Sequence, residues 1–133
     1  MKKLPKPPGL DVSQLPEGHW EKDTQKSKLL IEARVLFEKG NEESAIDMYA
    51  TAASLEEELM QECKAVSLWI KFFSHAFSAI HCWARAGNFY RARQICQMVL
   101  QHPELSEPQR QNAIEVLTAL RDGVRVYNLR KAA

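Results

Sequence analysis

The placement of proline and glycine constrains this chain more than any other feature. Between His19 and His102 there is no proline, and the only glycines are Gly40 and Gly87, each followed by asparagine. An all-β domain needs turn-forming residues at short intervals. This stretch therefore predicts a few long helices. Four prolines (Pro5, Pro7, Pro8 and Pro16) crowd the first sixteen residues. Proline fixes φ and removes an amide donor, which predicts an extended tail over residues 1–22. Leu10, Val12, Leu15 and Trp20 give that tail apolar handles, so a docked strip and a loose terminus both stay open.

With 133 residues, 45% hydrophobic and 26% charged, the chain can bury one core and is too apolar for global disorder. Helical periodicity then places five elements over a domain spanning 23–128. Helix A is expected from Asp23 to Lys39, with Asp23 or Thr24 as N-cap and Leu29, Leu30, Ala33, Leu36 and Phe37 as its stripe. Gly40 ends it, and Asn41 opens helix B, Glu42 to Cys63, with Ala45, Ile46, Tyr49, Ala52 and Ala53 facing inward. Helix C is expected from Ala65 to Ala86, with Val66, Trp69, Ile70, Phe73, Phe77, Ile80 and Trp83 on its stripe. No breaker stands between B and C, so a straight run and a bend near residues 62–65 are both open. Gly87 and Asn88 separate C from D, which runs to Gln101. Ser106, Pro108 and Gln109 spell a capping box that starts helix E, Glu107 to Arg121, with a continuation to Asn128 left open. Residues 129–133 read as a frayed basic end.

The Gly-Asn pair is the centre of a repeat. Ala33 to Phe37, Gly40-Asn41, Ala45, Ile46, Tyr49 and Ala52 align with Ile80 to Ala84, Gly87-Asn88, Ala92, Arg93, Cys96 and Val99. Each unit is helix, tight turn, helix, and such hairpins bury their faces by stacking. The pattern resembles the tetratricopeptide repeat, most closely in Trp83, Gly87, Asn88, Phe89, Ala92 and Pro103. The resemblance covers about Leu29 to Pro103. Its units stand 47 residues apart, where the repeat has a period of about 34. It implies an all-α stack of antiparallel hairpins with helix E as a terminal cap, and a non-catalytic scaffold or adaptor for a protein or peptide.

Searches for chemistry return little. The sequence holds no G-x-S-x-G elbow, Walker A loop, G-x-G-x-x-G or H-E-x-x-H, so no catalytic residue is assigned. His75 and His81 are separated by about 600° of helical rotation and cannot share one ion locally. Glu56-Glu57-Glu58 with Glu62 reads as a solvated face rather than a carboxylate metal site. No metal and no cofactor is expected. Cys63, Cys82 and Cys96 form no C-x-x-C pair and read as buried thiols, which points to a reducing, cytoplasmic setting. The start carries lysines without a following apolar stretch, so it is no secretory signal. The apolar run Val66–Ala84 carries Lys71, His75 and His81, which favours a core helix over a membrane span.

Charge is more telling. Eight acids and one base lie between Glu38 and Glu62, whereas Cys63 to Pro103 holds no acid but Lys64, Lys71, Arg85, Arg91 and Arg93. The net charge of +1 conceals these two poles. They either neutralise each other or leave a basic patch, Lys71, Arg85, Arg91 and Arg93, for an acidic peptide. Nucleic acid is not expected, because the aromatics fall on the core stripe. A second copy of the chain is another candidate partner. The competing functional class is a small-ligand or enzymatic bundle with a pocket at Trp69, His75 and His81.

Overall fold

The computed structural model describes residues 14–122. The fold is all-α: α1 spans His19–Glu38, α2 Glu42–Ala65, α3 Trp69–Arg85, α4 Phe89–Leu100 and α5 Glu107–Arg121. Each helix packs chiefly on its neighbours in sequence, as short connections between successive helices dictate. No helix among the described residues is long and apolar enough to cross a membrane. Of the tail expected over 1–22, residues 1–13 lie outside the described residues, as do the extension of helix E beyond Asp122 and the basic end; residues 19–22 belong to α1.

Three connections share one construction. Helix α1 ends with Lys39, Gly40 at φ 85 and Asn41; α3 ends with Ala86, Gly87 at φ 82 and Asn88. Between α2 and α3 the same places are taken by Val66, Ser67 at φ 58 and Leu68. Each turn carries the paired Schellman bonds. Asn41 N–H donates to Leu36 C=O and Gly40 N–H to Phe37 C=O; Leu68 donates to Cys63 and Ser67 to Lys64; Asn88 donates to Trp83 and Gly87 to Ala84. Helices B and C are therefore two helices. The break escapes sequence inspection because a serine, not a glycine, adopts the left-handed conformation.

Other boundaries follow their caps. Helix α1 begins at His19, behind Gly18 at φ 89, rather than at Asp23; Asp23 instead faces Lys26 at 3.1 Å. The Asn88 side chain accepts from Arg91 N–H. Both bonds of the Ser106–Gln109 capping box form, and Arg110 reaches back to the Leu100 carbonyl at the end of α4.

The main core gathers Met60 and Cys63 of α2, Phe72, Phe73, Ala76, Ala79 and Ile80 of α3, Ala92, Ile95, Cys96 and Val99 of α4, and Ala113 and Leu120 of α5. At the α1–α2 end, Ala33, Ala45 and Tyr49 form a smaller cluster. Fully buried alanines there leave room for little but close helix approach. Two expected inner residues are outside: Ile46 is 40% exposed and Ile70 55%. The buried face of α3 is centred on Phe72, Ala76 and Ala79. Its polar residues Lys71, Ser74, Ser78, His81 and Arg85 recur at three- and four-residue steps on the opposite side, and Ile70 falls beside that row.

Candidate functional site

The inner stripe of α1 changes character along its length. Leu29, Leu30, Ala33, Leu36 and Phe37 face α2 near the Gly40 turn, but the first two turns present His19, Lys22, Asp23 and Lys26 at the same helical spacing. Helix α2 returns past them and brings Glu56, Glu62 and Cys63. Helix α3 adds His75. The result is a polar knot where three helices meet.

Glu56 is at its centre and is fully buried. One of its oxygens, Oε1, accepts from His75 Nδ1–H at 2.9 Å and faces the Lys26 ammonium at 3.4 Å. Lys26 also pairs with Asp23. Burial works against charge on both Lys26 and Asp23, but it is outweighed at Lys26 by the Glu56 carboxylate and then by Asp23, and at Asp23 by Lys26. Lys26 is held above the ordinary lysine range and Asp23 below the ordinary aspartate range. A second arm joins α1 to the end of α2. His19 Nδ1–H donates to Glu62 Oε1 at 2.8 Å, and Lys22 bonds the other Glu62 oxygen. Burial opposes the Glu62 charge, yet these two donors hold its carboxyl below the usual value.

The two arms touch through their imidazoles. His19 and His75 stack edge to face with centroids 6.0 Å apart. Both are buried, and the Nε2 atom of each has no hydrogen-bond partner among the described residues; neither has Glu56 Oε2. Cys63 is buried beside them. Two sets of groups bring their ligand atoms within 4.8 Å of one another: His19, Cys63 and His75, and Asp23, Glu56 and His75. Burial pushes the thiols of Cys63, Cys82 and Cys96 up to about 11, so each is protonated and inert as a nucleophile at neutral pH.

The knot revises the sequence-based expectations. Glu56 does not belong to a solvated face, because it shares the inner stripe with Ala52, Ala53, Leu59, Met60 and Cys63. That placement was legible at three- and four-residue steps, but the run of three glutamates concealed it. His19 was missed because it was assigned to the tail. The trio Trp69, His75 and His81 is not one site. Trp69 packs on His102, with centroids 4.5 Å apart, and on Phe72. His75 belongs to the knot, and His81 is exposed.

The four basic candidates are dispersed. Lys71 sits over the Trp20 ring at 4.8 Å, on the rim of the knot. Arg85 lies over Tyr49 at 5.5 Å. Arg91 pairs with Glu57, which also accepts from Trp83 Nε1–H. Arg93 is exposed, with no ion-pair partner among the described residues. Acidic and basic poles thus meet in part within the molecule. No family model, curated protein or solved structure matches this chain.

Proposed function

We propose that the chain is a non-catalytic module of tetratricopeptide-like hairpins that binds an acidic segment of a protein partner. The observation that carries this reading is the outward face of α4. Tyr90 is 73% exposed, and exposed Arg93 lies one turn further on the same side. Tyrosine and arginine dominate binding energy at protein interfaces because they combine large contact area with directed polar groups. A guanidinium beside a phenol ring suits a carboxylate-bearing side chain or chain end. Three interhelical turns share one construction, which supports the repeat-like reading.

Binding to an immobilised library of acidic peptides tests it, comparing the wild-type chain with Tyr90→Ala/Arg93→Glu. Both side chains are exposed, so the variant should melt like the wild type. Loss of the peptides retained by wild type is expected. Equal retention by both proteins would overturn the reading.

A further inference from the structure

The polar knot contains more acceptors than it uses. Each of its two histidines commits Nδ1–H to a carboxylate, His19 to Glu62 and His75 to Glu56. In a neutral ring that choice leaves Nε2 as a bare lone pair. Both Nε2 atoms are buried without a partner among the described residues. Unpaired buried polar atoms are costly, and a pair of them beside a thiol calls for a shared partner. A carboxylate on the far ring nitrogen is the arrangement that orients metal-binding histidines and raises their basicity.

We propose that His19 Nε2, His75 Nε2 and the Cys63 sulfur form a binding site for a single zinc ion. Two imidazoles and one thiolate suit a borderline-soft divalent ion and discriminate against magnesium and calcium. Tetrahedral zinc holds such donors about 3.4–3.6 Å apart, and one ring nitrogen of each histidine and the Cys63 sulfur already lie within 4.8 Å of one another. On binding, the Cys63 proton leaves to solvent and the thiolate coordinates, since a coordinated thiol is deprotonated outright. The neighbouring trio Asp23, Glu56 and His75 is a weaker candidate. The Lys26 ammonium already stands against both of its carboxylates, at 3.1 and 3.4 Å, where a cation would go. The ion would tie the start of α1 to the end of α2 and the middle of α3, with its fourth tetrahedral position left to water, and it is independent of peptide binding at α4.

The test uses the full chain, stripped with chelator and reloaded with zinc or cobalt(II), then desalted. About one zinc per chain should remain, and the thermal midpoint should rise. The cobalt form should show tetrahedral visible bands and a thiolate-to-cobalt charge-transfer band. Cys63→Ala should abolish the charge-transfer band, and Glu62→Gln, which orients His19 without supplying a ligand, should weaken zinc binding about 10–100-fold. Circular dichroism establishes that each variant is folded. The wild-type cobalt spectrum decides the question even if a variant does not fold. No retained zinc, an octahedral cobalt spectrum without charge transfer, or zinc retained equally by folded Cys63→Ala would each overturn the assignment.

Discussion

Ser67 holds a backbone conformation that glycine holds at the two equivalent turns, with φ 58 against 85 and 82. For a residue with a Cβ the left-handed region costs roughly 1–2 kcal/mol, offset in part by the smaller entropy a serine loses on folding. Ser67→Gly should therefore stabilise the chain by about 0.5–1 kcal/mol, read as a higher midpoint in urea. Gly40→Ala should do the reverse. A Cβ there meets nothing within 4 Å, so the cost is conformational and not steric. Glu56 makes the opposite point, because the cost of its loss falls on the partners of its Oε1, His75 and Lys26. Removing it leaves Lys26, itself largely buried, without its deepest counter-charge. Glu56→Ala should destabilise by about 3–5 kcal/mol in chemical denaturation.

At the scale of the element, periodicity located the helices better than their faces. The Gly40 and Gly87 turns, the Ser106 capping box and the inner stripe near the end of α1 were legible, because glycine and capping residues have local signatures. Ser67 has none, so the α2–α3 break was not. Helix α3 shows the limit for faces. The expected stripe runs through Ile70, beside the polar row of Lys71, Ser74, Ser78 and His81, whereas the buried face is centred on Phe72. Phe72→Ala should cost about 3–5 kcal/mol. Ile70→Ala, at a position the sequence pattern had placed inside, should change stability by no more than about 0.5 kcal/mol. Equal losses at the two positions would contradict the observed rotation of α3.

At the scale of the molecule, two kinds of seam hold the helices together. From α2 to α5 the seam is apolar, and a hydrophobic pattern reveals such seams. Where the start of α1 meets α2 and α3 it is polar, and no local pattern announces it, since its members come from three helices far apart in sequence. Its pH dependence follows. Asp23 and Glu62 have lower proton affinity folded than unfolded. Their contribution is present above the ordinary values of 3.8 and 4.5 and is lost as pH falls through the depressed ones. Unfolding free energy should rise with pH across that acidic window, and Glu62→Gln should flatten the rise. The polar seam itself is tested most directly by long-range proton–nitrogen correlation of the histidine rings in the chelator-treated full chain, assigned with His19→Gln and His75→Gln. His19 and His75 should each keep a proton fixed on Nδ1. Rings that average between tautomers, as in water, would contradict the junction described here.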